Sequence, residues 1–338
     1  MDTESSRKNR FSRRNFLQIV AVAGAAAGCW KLGLFGAADK LQVVRRSQPI
    51  MGTVLNLTVY GPDRDQCEEA LKKTITTMQG LEAKMSRHMA DSELSTLNRT
   101  GVLEDPDPDL LNVLRLAQTI SRQSSGGFDI TILPLLTLNE RSNGAVDSGD
   151  HDAAVKLIGY EKLAIGENRV QFSEPGMAAS LDGIGKGYIV DRGVDSLKNF
   201  GFHHVYVEAG GDLMVSGKKE KDSSWRIGIR NPRPQQKRKL VTLLVNDKAV
   251  ATSGDYFQSF TPDLKHHHII DPRSGFSPPE LASCTVTAPN VALADGLATA
   301  LMVLGKDAAL DLIEPMQGCE AYLVTKNLEE FNTTGFFS

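Results

Sequence analysis

The chain has 338 residues, 41% of them hydrophobic and 23% charged, which is enough apolar material for a substantial core in one or two domains. Six of its 38 Lys/Arg and two of its 41 Asp/Glu lie in the first 38 residues, so the remainder holds 32 basic and 39 acidic groups. A surface of that sign, net −7, excludes the basic footprint of a nucleic-acid binder, and Cys67, Cys284 and Cys319 are too widely spaced to form a disulfide framework.

The N-terminus reads as an export signal over residues 1–38. Ser12-Arg13-Arg14-Asn15-Phe16-Leu17-Gln18 is a twin-arginine signature, and the uncharged apolar stretch from Ile19 to Trp30 follows it. That stretch falls short of the roughly 20 residues a spanning helix requires, as expected for a signal core. Two ends are open: cleavage after Gly36-Ala37-Ala38, or lipidation of Cys29 in the lipobox-like Ala26-Ala27-Gly28-Cys29. Residues 39–48 then read as a linker to one domain over 49–338.

Thr53–Tyr60 alternates apolar and polar residues before Gly61-Pro62, which predicts a strand and turn. Helical spacing predicts helices over 65–85, 108–125 and 148–158, then short strands near 161–172. A helix over 186–200 stops at Gly201. Strands are expected at 203–208, 212–216, 225–230, 240–245, 248–252, 267–270 and 282–288, with an exposed loop at 231–239. Helices over 291–304 and 308–313 and a strand over 321–325 complete the chain. Early helices followed by clustered strands make the class mixed α+β.

Several constellations carry chemistry. Ser180-Leu181-Asp182-Gly183-Ile184-Gly185-Lys186-Gly187-Tyr188 places glycines directly before a helix, where backbone N–H groups can approach a phosphate. It lacks the Walker and the dinucleotide spacings, so a plain strand-to-helix turn stays open. Asp295 and Thr299 share one face of an otherwise apolar helix. A buried carboxylate needs a partner; a carboxylate with a hydroxyl suits Mg²⁺, and a hydrogen-bonded Asp–Thr pair is the alternative. In His266-His267-His268-Ile269-Ile270-Asp271-Pro272-Arg273, neighbouring strand residues face opposite ways. The three histidines therefore do not converge on one ion, and one functional histidine is expected. Gly126-Gly127-Phe128-Asp129 ends a helix, and Met51-Gly52-Thr53 opens the first strand.

Taken together and in this order, these segments resemble the ApbE family of FAD:protein FMN transferases. Besides those quoted, the resemblance includes Asp91–Asn98, Gly210-Gly211-Asp212, Ala251–Tyr256, His268–Gly275 and Ala294–Ala300, and it spans about 51–318. It implies a mixed sheet with flanking helices around a central FAD cleft. It also implies Mg²⁺-dependent transfer of FMN from FAD to a threonine hydroxyl of an acceptor protein, with AMP leaving. By position, Gly183, Asp295 and Thr299 would hold Mg²⁺. Met51, His88, Gly127, Phe128, Asp129, Ser180, Asp182, Lys186 and Ile269 would line the FAD site. His268, with Asp271 next in line, would take the acceptor proton.

The chain departs from the family pattern at His88, where Tyr is common, and at Ser180, where Asp is common. In an extended segment Asp182 would face the same side as Ser180 and could compensate. The expected partners are FMN-acceptor proteins of membrane or periplasmic electron-transfer complexes, and the expected location is the periplasm or the outer face of the inner membrane. A Mg²⁺-dependent FAD pyrophosphatase and a non-catalytic flavin-binding accessory protein are the competing functions.

Overall fold

The structure, a computed structural model, describes residues 41–142, 144, 146–219, 223–236 and 239–338. The export signal, Cys29 and the alternative cleavage position lie outside the described residues. In chain order the elements are β1 (Gln42–Ile50), β2 (Thr53–Gly61), α1 (Arg64–Met85), α2 (Glu93–Thr100), β3 (Val102–Glu104), α3 (Pro108–Gln123), α4 (Leu133–Ser142) and α5 (Ser148–Lys156). Then come β4 (Leu163–Ile165), β5 (Arg169–Phe172), α6 (Gly185–Asn199), β6 (His204–Ala209), β7 (Asp212–Ser216), β8 (Trp225–Ile229) and β9 (Val241–Val245). The last are β10 (Lys248–Gly254), β11 (Leu281–Ala288), α7 (Val291–Leu304), α8 (Lys306–Ile313), β12 (Glu320–Thr325) and β13 (Glu330–Asn332).

Eight strands form one antiparallel sheet in the order β1-β2-β6-β7-β10-β11-β12-β13. Its central strands are buried on both faces, and the alternation divides their side chains between two cores. Met214, Ala249, Ala251 and Leu323 face a helical core with residues of α1, α3, α6 and α7. Their neighbours Leu213, Val215, Val250, Tyr322 and Val324 face a second core closed by Trp225, Ile229, Leu243 and Val245 of the β8–β9 pair. A smaller sheet, β3-β5-β4, is separate. The mixed α+β class is as the sequence implied.

Four expectations change. The stretch assigned to a linker up to residue 48 is largely β1, an edge strand that pairs only with β2; most of its side chains are exposed, so no clear alternation marked it. Helices α2 and α4 went unread, the first hidden in a motif and the second in an apolar run after a glycine turn. Residues 267–270 form no strand; the segment is held instead by the His268 amide on the Gln258 carbonyl, with a single bridge between His267 and Ser259. The 231–239 loop is partly anchored, because Arg233 donates to both oxygens of the fully buried Asp255 at 2.8 and 2.7 Å. Cys67, Cys284 and Cys319 are buried free thiols.

Candidate functional site

Helix α7 is apolar on every side and lies in the core, and Asp295 is its one charged residue. Its N-terminus is fixed twice. Asn290 accepts from the Leu293 amide, and Asp191 of α6 accepts from the amides of Val291 and Ala292 at 2.7 and 2.9 Å. Burial pushes the Asp191 carboxyl up to about 6, against the pull of those two donors. Helix α6 crosses α7 closely at Gly187. A β-carbon built there would lie 2.6 Å from the Val291 carbonyl oxygen, and the Gly187 amide reaches Asp295 Oδ2 at 3.3 Å.

This crossing fixes the charged centre. Lys186, in the first turn of α6, places Nζ 2.9 Å from Asp212 Oδ2 at the start of β7 and 3.5 Å from Asp295 Oδ2. Both carboxylates are buried. Burial raises the Asp295 carboxyl, Lys186 opposes that rise, and the paired carboxylates hold the Lys186 ammonium well above its ordinary value.

One turn along α7, Thr299 Oγ1 lies 3.1 Å from Ser253 Oγ at the end of β10. A β-carbon on Gly183 would lie 3.2 Å from Thr299 Oγ1 and 3.3 Å from the Phe128 ring. A side chain there would crowd both. The Gly183 turn therefore lies against Thr299, one turn of α7 from Asp295.

The glycine-rich turn is braced from two sides. The Ser180 amide donates to the Ile130 carbonyl, which joins it to the Phe128 loop. Asn98 exchanges two hydrogen bonds with the Ala179 backbone, at 2.9 and 2.7 Å. The Asp91–Asn98 segment is thus a clamp. Ser92 caps α2, and Asn98 fixes the approach to Ser180.

Asp129 is also a brace. Its oxygens accept from the Thr131 amide and hydroxyl and from the Tyr160 amide, and burial raises its carboxyl. Gly127 is packed against Leu304.

Ser180 and Asp182 do not face the same way. The chain turns at 182–184, so Ser180 is buried and its Oγ accepts from the Asp182 amide. Asp182 projects outward to Arg87 at 2.7 Å, and Arg87 also pairs with Glu140. The expected extended geometry fails because a helix starts at Gly185. Met51, at φ +50°, donates its amide to Glu82 in the β1–β2 turn, while His88 is exposed beyond the end of α1.

The three histidines separate cleanly. His266 is exposed. His267 is fully buried and driven down to about 3 by desolvation, with Lys326 adding to the effect. His268 is lowered by desolvation and by Lys186, and raised in part by the Gln258 carbonyl and by Asp182. Its Nδ1 lies 3.1 Å from the Gln258 carbonyl oxygen, which only accepts, so Nδ1 bears the proton and Nε2 the lone pair. Ile269 is buried beside it. Asp271 is committed to Arg273 through both oxygens, at 2.8 and 2.9 Å.

Sequence reasoning missed Asp212 and Ser253 as members of the site. Both lay inside recognised segments, but nothing local in the sequence shows that β7 and β10 bring them to α6 and α7.

The metal-fit question turns on donor chemistry. Asp295, Thr299 and a backbone carbonyl offer hard oxygens, and no cluster of three or more His, Cys, Asp or Glu occurs among the described residues. That set fits Mg²⁺, which keeps waters and phosphate oxygens as further ligands.

A family model described as the ApbE family matches residues 51–323. The FAD:protein FMN transferase of Vibrio cholerae is 30% identical over 318 residues, covering 90% of this chain and 92% of that protein. The FAD:protein FMN transferase of Haemophilus influenzae is 28% identical, covering 92% and 95%. The apo form of the Pseudomonas stutzeri flavinyl transferase ApbE superposes with a TM-score of 0.78 at 28% identity, covering 90% of this chain and 99% of that one.

Proposed function

The chain belongs to the ApbE family, and from that premise we propose that it is an exported, Mg²⁺-dependent enzyme that uses the Asp295–Lys186–His268 centre to move FMN from FAD onto threonine hydroxyls of acceptor proteins. It is an FAD:protein FMN transferase, with FAD as substrate and flavin-acceptor proteins as partners. The observation that supports the mechanism is Asp295 beside the Lys186 ammonium, with Thr299 one turn along α7 and against the Gly183 turn.

Gly183, Asp295 and Thr299 would hold Mg²⁺, which when bound neutralises charge on the pyrophosphate. The chain's own residues do the rest. Lys186 adds a second positive charge beside that site, held there by Asp212. His268 Nε2 takes the proton of the attacking hydroxyl, and the Gln258 carbonyl holds the required tautomer. Met51, His88, Gly127, Phe128, Ser180 and Ile269 line the FAD site, with Asp129 holding the Phe128 loop in place. Asp182 orders that wall through Arg87. Asp271, bound to Arg273, orients the His268 segment rather than serving as a second base.

Arg13-Arg14 and the apolar run after them support export, and Cys29 offers a lipid anchor at the outer face of the inner membrane. The acceptors would then belong to membrane or periplasmic electron-transfer complexes. The test mixes the protein with FAD, Mg²⁺ and an acceptor domain and reads flavin fluorescence on the acceptor after denaturing electrophoresis. Labelled acceptor is expected. Free FMN with unlabelled acceptor would establish a pyrophosphatase instead, and no conversion of FAD would establish an accessory flavin binder.

A further inference from the structure

One ammonium serves two buried carboxylates. Lys186 Nζ is 2.9 Å from Asp212 Oδ2 and 3.5 Å from Asp295 Oδ2, and it also donates to the Asp182 carbonyl at 3.4 Å. The three groups come from different elements, namely β7, α7 and the first turn of α6. Asp212 has little else to satisfy it, the Thr252 amide lying 3.4 Å from Oδ1. Among the described residues Asp295 has only the Gly187 amide besides Lys186. A buried carboxylate without a counter-charge is costly, so without metal Lys186 is the charge that makes Asp295 tolerable in the core. A divalent cation arriving at Asp295 and Thr299 meets that ammonium as a like charge. Lysine is a point charge on a flexible stem, so it can change partner without moving the backbone.

We propose that Asp212 is a positioning residue that receives Lys186 when a divalent cation takes Asp295: the ammonium bridges both carboxylates in the metal-free protein and pairs with Asp212 alone in the loaded one. The inference rests on the assignment of Asp295 as a metal ligand. Its consequence is a coupling. Asp212 favours metal binding mainly by drawing Lys186 away, and only secondarily as a nearby negative charge.

The test is a double-mutant cycle read by metal affinity. Mn²⁺ is titrated into the FAD-free protein at fixed pH, free ion is followed by electron paramagnetic resonance, and Mg²⁺ competition confirms the site. Asp295→Asn is the control, and it should abolish the site. Asp212→Asn should weaken binding about tenfold or more with Lys186 in place, but about threefold or less in the Lys186→Met background. Lys186→Met alone should tighten binding several-fold and lower the melting temperature in chelator. Asp212→Glu should restore most of the affinity lost in Asp212→Asn. Lys186→Gln replaces Lys186→Met if the latter does not fold.

Equal effects of Asp212→Asn in both backgrounds would overturn the exchange and leave Asp212 as a remote charge, with the metal assignment intact. Unchanged Mn²⁺ binding in Asp295→Asn would overturn the metal assignment and the exchange with it.

Discussion

His268→Gln tests the proton-transfer role most directly. Glutamine keeps a polar side chain of similar reach but has no basic nitrogen. In the native chain the Gln258 carbonyl fixes the proton on Nδ1, and burial with Lys186 lowers the imidazole below its ordinary value of about 6.5. At pH 7 His268 is therefore mainly neutral, with the Nε2 lone pair available. Removing a positioned general base costs about 10²–10⁴ in rate, equivalent to roughly 2.7–5.5 kcal/mol. The assay is acceptor flavinylation at saturating FAD and Mg²⁺ across pH 5–8. Wild type should lose rate at the acid end of that range, as His268 takes a proton. His268→Gln should be slower by the stated factor, should lack that acid limb, and should bind FAD within a few-fold of wild type. Added imidazole should recover part of the rate in His268→Ala. His266→Ala, at an exposed position, should change little. A His268→Gln enzyme within about threefold of wild type, with its acid limb intact, would refute the assignment of the base.

Four other outcomes are expected. Asp295→Asn should fold, lose activity by orders of magnitude and gain nothing from added Mg²⁺, while EDTA should silence wild type reversibly; full activity in either case would remove the metal from the reaction. His267 is neutral and buried at about 3 against an unfolded value of about 6.5, so its contribution is complete above pH 6.5 and is lost as pH falls towards 3. Denaturant titrations should show the change in stability between pH 6.5 and 5 differing between wild type and His267→Gln by about 1.6 kcal/mol, wild type losing more, whatever the variant's own stability. Gly187→Ala drives a β-carbon into the Val291 backbone and should destabilise by about 1–3 kcal/mol, whereas Gly80→Ala on α1 meets nothing within 4 Å and should stabilise by up to about 1 kcal/mol. Replacing Arg13 and Arg14 with lysine should leave the protein in the cytoplasm, as cell fractionation would show; normal export of that variant would rule out the twin-arginine route.

The sequence by itself determined the elements whose signals are local. The apolar stripe and caps of α1 and α3, the turn residues that end β2 and α6, and the uniformly apolar α7 with its one aspartate all follow from neighbours within a few positions. Motif order also carried the resemblance from which Asp295, Thr299 and Gly183 were expected to act together. Edge strand β1 and the short helices α2 and α4 were hidden because a mostly exposed or very short element leaves no clear period to read.

Only the tertiary structure decided which polar groups share a charge. Asp212 and Ser253 reach Lys186 and Thr299 because the strand order β7-β10-β11 lays their ends against the α6–α7 crossing. It likewise sorted three adjacent histidines into one exposed, one buried and neutral, and one held on the Gln258 carbonyl within the field of Lys186. The physical reason is that burial and long-range pairing set the chemistry of an ionisable side chain, and neither is a property of the residues beside it in the chain.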